Sequence, residues 1–355
     1  MTDTALETLR ERIRELDHDI IALAAERVEL TRQVGEVKRR QNIPTVDFAQ
    51  ERIVLDRARS YAGDRGLEPA VAEELFALLI RASVMAQDQD NLRIAATGAG
   101  RSAVIFGGAG RMGVWLGRFL SAQGFDTAAI DPALDSGENE RARHMLETAD
   151  LIVCSTPPVA TAQLYAGWFQ GPPAGVVVDI ASIKTPLIPS IRALQRAGGR
   201  VASIHPMFGP STALLRGADV VICDTGDAES AATVEKLFQP TTARIVRLPL
   251  EDHDRIMADL LSLAHAAAIA VALALPDSEH PVSSTTFHAL KSLAGSVVRE
   301  SPEVYYEIQA MNPHSSASLR RLWAAVERIV HAISARDPAE FASLLEEGRK
   351  HTTGK

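Results

Sequence analysis

The chain has 355 residues, 46% hydrophobic and 23% charged, the make-up of a soluble globular protein long enough for two or three domains. A formal net charge of −8 excludes a global basic field, so nucleic acid is not an expected partner and anionic substrates need local basic pockets. Cys154 and Cys223 form no C-x-x-C pair or His/Cys cluster, so neither zinc nor any other metal is expected.

From residue 5 to 40 the pattern predicts one long helix, with Leu6, Leu9, Ile13, Leu16, Ile20, Leu23, Leu30, Val34 and Val37 at steps of three, four and seven. Asn42-Ile43-Pro44 breaks it. A second helix is expected from Asp47 to Ala62 and a third from Pro69, suited to a first turn, to about Asn91. Charges such as Arg12, Arg14 and Arg32 are read as a solvated face. Ala95 to Ser102 is small and flexible, and reads as a linker. After it the period changes. Short apolar strands are expected at 103–106, 127–131, 151–155, 176–179, 200–204 and 220–223, with helical patterns between several of them. That alternation predicts a parallel doubly wound sheet. Beyond about Asp252 the pattern is helical, over 260–275, 287–299, 304–310 and 319–334, with a last helix after the cap Asp337-Pro338. The apolar run Leu260 to Leu275 contains His265, is short for a membrane span, and reads as a buried helix. With no signal-peptide core near the charged N-terminus, the expected location is cytoplasmic, with no membrane partner.

Two stretches carry chemistry. Gly108-Ala109-Gly110-Arg111-Met112-Gly113 follows a predicted strand and opens a helix, and Asp131 closes the next strand, the context a dinucleotide fingerprint requires. Gly108 permits the tight turn, Gly110 the approach of the pyrophosphate, and Gly113 close helix–strand packing. Asp131 suits ribose hydroxyls and repels a 2′-phosphate, so NAD is the expected cofactor. Ser155, Thr156 and Pro157 end the next main strand, where the cofactor crevice is expected. The second stretch, Ser203-Ile204-His205-Pro206-Met207-Phe208-Gly209-Pro210, reads as a rigid loop presenting one imidazole, a poor recipe for a helix or strand.

A helical module, then G-G-x-G-x-M-G, then D-x-A-S-x-K, then H-P-M-F-G-P: in this order the motifs resemble the fused chorismate mutase–prephenate dehydrogenase family, the T-proteins of tyrosine biosynthesis. The resemblance covers nearly the whole chain. It implies an all-helical mutase domain over 1–94, a Rossmann-type NAD-binding domain over 102–250, and a helical substrate and dimerisation domain over 251–355. It also implies that Arg10, Arg27, Lys38, Asp47, Glu51, Ser83 and Gln87 line a chorismate pocket. Helix geometry agrees in part. Arg27 and Lys38 are three turns apart on one face, and Asp47 with Glu51, like Ser83 with Gln87, are i,i+4 pairs. Arg10 lies roughly 25 Å along the helix from Arg27, so it is expected from a partner subunit in a homodimer of interleaved long helices. In the implied mutase roles, arginines hold the carboxylates, Lys38 and Gln87 donate to the ether oxygen, and Asp47 and Glu51 address the ring 4-substituent.

For the second activity the resemblance implies oxidative decarboxylation of prephenate with NAD as hydride acceptor. His205 takes the proton from the 4-substituent, Ser182 hydrogen-bonds it, and Lys184 supports the pocket. His265 and Tyr305 match substrate-lining positions. Two residues depart from the family pattern: Gln50 and Ser296 stand where members carry Arg, the latter for the ring carboxylate, with Arg299 or Lys291 as possible substitutes. These departures leave open the same two reactions on 4-amino-4-deoxychorismate and 4-amino-4-deoxyprephenate. A ligand-sensing regulator with two inactive modules, and a different Rossmann dehydrogenase with a helical tail, are the readings from other classes.

Overall fold

The structure, a computed structural model, describes residues 2–41, 43–276, 282–299 and 301–353; Asn42 of the expected helix break lies outside them. The chain forms two compact units. The first comprises Met1–Thr156, Gln170–Ile180 and Leu194–Arg247, and the second Pro157–Phe169, Ala181–Ala193 and Leu248–Lys355.

The first unit begins with α1 (Thr2–Arg40), α2 (Phe48–Asp64) and α3 (Pro69–Ala95). Asp47 stops α2 at its N-terminus by accepting from the Gln50 amide at 3.0 Å, and Pro69 opens α3. The buried residues of α3, among them Ile80, Val84, Ala86 and Leu92, make it the inner helix. Arg32 does not lie on a solvated face as expected: it is half-buried and pairs with Asp90 of α3. The apolar stripe of α1 from Leu6 to Val37 remains exposed in the single chain.

Beyond Ala95 the chain alternates β1 (Ser102–Phe106), α4 (Arg111–Ala122), β2 (Asp126–Ile130), α5 (Ser136–Leu146), β3 (Leu151–Cys154), α6 (Pro158–Gly167), β4 (Val176–Asp179), α7 (Ile188–Arg196), β5 (Arg200–Pro206), β6 (Asp219–Asp224), α8 (Ala228–Phe238) and β7 (Arg244–Pro249). The seven strands are ordered β2-β1-β3-β4-β5-β6-β7. β1 to β5 run parallel, as the fully buried runs of β3 and β4, apolar up to Asp179, demand of strands covered on both faces. The sheet is not wholly parallel, because β6 pairs antiparallel with β5. β7 was not expected. It interrupts its apolar residues with Arg244 and Arg247 and ends in Pro249, the composition of an edge strand. Trp115, Phe119 and Phe238 stack at 5.0 and 4.9 Å in the core beside the sheet.

The largest correction concerns His205, which lies on β5 and not in a loop, opposite Val221 of β6. Pro206 also belongs to the strand, opposite Val220. The Met207 amide donates to Asp219 O at 2.9 Å, so the intervening position faces away from β6. There the register with β4 has already ended at Ser203, and the missing N–H of Pro206 leaves no ladder bond unmade.

In the second unit, α9 (His253–Met257), a π-helical turn (Ala258–Leu263) and α10 (Ala264–Ala274) form one run, followed by α11 (Thr285–Val298), α12 (Pro302–Met311), α13 (Ser315–Ser334) and α14 (Pro338–Thr353). Asp337 accepts from the Ala339 and Glu340 amides at 3.0 Å, the expected cap. The run expected to be a buried helix is for the most part half-buried, with exposed positions. Leu260 is 55% and Leu273 82% exposed, because α10 covers only part of its surface with its neighbours in the chain. By length and composition alone His253–Ala274 would suit a bilayer, although Asp254, Arg255 and Asp259 lie within it.

Candidate active sites

The first cluster lies between α1 and α3. Arg27 donates to Ser83 Oγ at 2.9 Å and to Leu79 O at 3.1 Å, with its guanidinium 5.9 Å from the Phe76 ring centroid. Burial lowers its pKa from the ordinary value without threatening its charge. One turn on, Gln87 crosses to α1 and donates to Thr31 O at 2.6 Å. Gly35 makes this crossing possible, since a Cβ there would meet Gln87 Cγ at 3.0 Å. Lys38 donates to Thr45 O at 3.0 Å in the segment leading to α2. Arg27, Ser83, Gln87 and Lys38 thus share the α1–α3 side of the module. Arg10 is elsewhere: its side chain is 57% exposed and pairs with Glu7 on the same helix. Asp47 is occupied as the α2 cap. Glu51 pairs at 2.6 Å with Arg216, a residue from the segment between β5 and β6 that sequence reading did not find. Two cations and two neutral donors on facing helices can hold a small dianion and donate to an oxygen between its carboxylates.

The second cluster is the glycine turn between β1 and α4. The left-handed residue is Gly107 (φ +75°), not Gly108, so the tight turn sits one position earlier than the motif suggests. A Cβ on Gly107 would lie 2.4 Å from Ser155 O, and one on Gly113 would lie 2.2 Å from Gly107 O. Gly108 is buried against Ala129 of β2. Gly110 caps α4 with no side-chain bond, leaving the first-turn amides of Met112 and Gly113 for a ligand. Asp131 stands at the end of β2, where its carboxylate accepts from the Ala109 amide at 3.1 Å and the Ala133 amide at 2.9 Å. This places it against the glycine turn, where a ribose would lie. Ser155 and Thr156 follow β3 on the other flank of Gly107, and Pro157 begins the second unit as the α6 cap residue. A backbone cradle that any side chain would fill, at an uncapped helix N-terminus beside a carboxylate, fits a dinucleotide.

His205 is buried on β5 of the first unit. In the second unit, Ser182 and Lys184 lie on a segment gripped by Asp254 of α9, a residue sequence reading passed over. Its Oδ1 accepts from the Lys184 amide at 2.8 Å and its Oδ2 from the Thr185 amide at 2.7 Å. His253 Nδ1 is 2.7 Å from Oδ1, and Asn312 donates to the Asp254 carbonyl at 2.7 Å. Burial alone would raise the Asp254 pKa, but hydrogen bonds from His253, Thr185 and Lys184 outweigh it and hold it at about 2. Lys184 itself is fully buried. His265 and Tyr305 meet edge to face at 4.3 Å. Burial lowers the His265 pKa, and its Nδ1 is buried with no hydrogen-bond partner among the described residues. Ser296 is exposed and donates to Leu293 O, while the Arg299 guanidinium folds back beside Gly295, within 3.7 Å of where a Cβ would stand.

Comparison with known proteins covers both modules. Residues 9–88 match the family Chorismate mutase type II, and residues 124–247 match Prephenate dehydrogenase, nucleotide-binding domain. A T-protein of Enterobacter agglomerans is 28% identical over 351 residues, 97% of this chain and 89% of that protein. A chorismate mutase of Methanocaldococcus jannaschii is 31% identical over 84 residues, 24% of this chain and 85% of its own length. The 4-amino-4-deoxyprephenate dehydrogenase of Streptomyces pristinaespiralis is 29% identical over 272 residues, 69% of this chain and 89% of that protein. Among solved structures, the prephenate dehydrogenase of A. aeolicus in complex with hydroxyphenyl propionate and NAD+ shares the fold, with a TM-score of 0.56 at 16% identity over 72% of this chain and 98% of that one. Matched in both modules and along nearly its whole length, the chain belongs to the fused chorismate mutase–prephenate dehydrogenases, enzymes that join an isomerase to an NAD-dependent oxidoreductase.

Proposed function

We propose that this enzyme works on the 4-hydroxy series: chorismate rearranges to prephenate in a mutase domain of residues 1–94, and prephenate is oxidatively decarboxylated to 4-hydroxyphenylpyruvate by domains spanning 102–250 and 251–355. The observation that carries the mutase half is the Arg27–Ser83 anchor on the same α1–α3 wall as Gln87 and Lys38. A pericyclic reaction needs its substrate held in one chair and the breaking ether oxygen stabilised, with no nucleophile. Arg27 and Ser83 hold a carboxylate, Lys38 and Gln87 donate to the ether oxygen, and Asp47 and Glu51 face the 4-hydroxyl. Arg10 of a second copy closes the pocket. The exposed stripe of α1, and a further apolar face on α13 with Trp323, Val330 and Ile333, support a homodimer. The expected location is cytoplasmic.

In the dehydrogenase, bound NAD supplies the hydride acceptor. Gly108, Gly110, Arg111, Met112, Gly113, Asp131, Ser155, Thr156 and Pro157 hold it. His205 takes the 4-hydroxyl proton, Ser182 hydrogen-bonds that oxygen, and Lys184 supplies positive charge. His265 and Tyr305 line the substrate, and Arg299 takes its ring carboxylate. A second reading, the 4-amino-4-deoxy series, is favoured by Ser296 and by the likeness to the Streptomyces pristinaespiralis enzyme. Steady-state kinetics with prephenate and 4-amino-4-deoxyprephenate separate the two. Turnover of prephenate with NAD is the expected result, and reaction of the amino compound alone would overturn the 4-hydroxy reading.

A further inference from the structure

Glu51 does not face its pocket as a lone carboxylate. Arg216 donates to Glu51 Oε2 at 2.6 Å, and its guanidinium lies 5.3 Å from the Phe48 ring centroid. The two side chains are 23% and 19% exposed, so solvent screens the pair only in part. Arg216 is held on both sides. Leu215 before it is buried, and Gly217 after it turns in the left-handed region (φ +75°). Upstream, Thr212 O accepts from Trp115 Nε1 at 2.9 Å, and Phe208 packs on the Trp115 ring at 5.0 Å. A second tie holds α3, the helix on which α2 packs. Asp88 of α3 accepts from Thr242 Oγ1 at 2.5 Å and from the Thr242 amide at 3.3 Å. The ion pair therefore joins two anchored bodies of the first unit.

We propose that Arg216 is a specificity-determining positioning residue of the mutase, setting its 4-substituent subsite to accept a neutral hydroxyl and to disfavour an ammonium. The inference rests on the reading above that Glu51 addresses the 4-substituent. A hydroxyl needs only an acceptor, and the Arg216 contact through Oε2 leaves Oε1 to serve. An ammonium needs net negative charge. A cation about 4 Å from Glu51 and about 6 Å from Arg216 loses roughly two-thirds of its attraction to repulsion. The charge that decides between the two substrate series thus comes from outside the mutase helices.

The test compares kcat/KM for chorismate and 4-amino-4-deoxychorismate in the full-length enzyme and in Arg216→Gln and Arg216→Lys. Wild type is expected to prefer chorismate. Arg216→Gln is expected to shift the ratio toward the amino substrate about tenfold, and Arg216→Lys to keep it within about threefold of wild type. A purely structural residue would lower both substrates together, so an unchanged ratio in Arg216→Gln overturns the proposal. So does a wild-type preference for the amino substrate, a measurement that needs no variant to fold. If wild type rearranges neither compound, the mutase reading itself fails, and this inference falls with it.

Discussion

Replacing Asp254 by Asn removes a charge that holds the Ser182–Lys184 segment in place. The Asp254 carboxylate is 3% exposed and receives the Lys184 and Thr185 amides together with His253. Its pKa is lowered from 3.8 to about 2, which corresponds to about 2 kcal/mol of folded-state stabilisation. Because the folded pKa is depressed, this stabilisation is present above pH 3.8 and is lost as pH falls through about 2. In a chain of two compact units a global unfolding midpoint mixes several events, so the assay is local: hydrogen exchange at the Lys184 and Thr185 amides. Asp254→Asn should speed their exchange roughly 50-fold at neutral pH, the equivalent of about 2 kcal/mol. In wild type their protection, corrected for intrinsic rates, should fall between pH 4 and pH 2, and in the variant it should be flat over that range. Prephenate oxidation should drop about tenfold through misplacement of Ser182 and Lys184, while mutase activity stays within twofold. Unchanged protection in the variant, with no pH dependence in wild type, would refute the claim that Asp254 holds this segment through its charge.

Two further substitutions separate the activities. His205→Asn should cost at least about 100-fold in prephenate oxidation and leave chorismate rearrangement within a few-fold; equal loss of both would show that the two chemistries do not use separate residues. Gly35→Ala gains up to about 1 kcal/mol of helix propensity, yet its methyl would sit 3.0 Å from Gln87 Cγ and push that side chain off α1. Thermal stability should therefore hold or rise while mutase kcat falls about tenfold, and an unchanged kcat would place Gln87 outside the reaction.

Much of this fold was legible because its signals are local. The three- and four-residue period drew α1 almost to its ends, the Asp337 cap lies where helix-start chemistry puts it, and the glycine turn announced itself between a strand and a helix. What escaped depends on partners distant in the chain. Pro206 is tolerable in a strand only because β4 has ended beside it, a fact no window around His205 contains. β7 carries Arg244 and Arg247 and no apolar alternation, and is a strand only because β6 offers it an edge. The openness of α10 is invisible in composition, which reports apolarity and not the neighbour that covers it. Among candidate site residues, a shared helix was foreseeable, as for Arg27 with Lys38 and Ser83 with Gln87. Arg216 lies 165 residues from Glu51, and Asp254 grips amides 69 and 70 residues away. Neither stands in a motif whose spacing points to its partner.

These distant contacts bear on one question twice. In a fused enzyme the mutase product is the dehydrogenase substrate, so both chemistries must accept the same 4-substituent. On the mutase side, the Arg216–Glu51 pair leaves an acceptor without net charge, suited to a hydroxyl. On the dehydrogenase side, if His205 is the base proposed above, a hydroxyl asks it for a single proton transfer as the ring becomes aromatic. An ammonium would have to lose a proton before its lone pair could assist at all. Arg216 and His205 lie on different elements and share no motif, yet the charge compensation at one and the proton transfer at the other are each simplest for the same neutral oxygen.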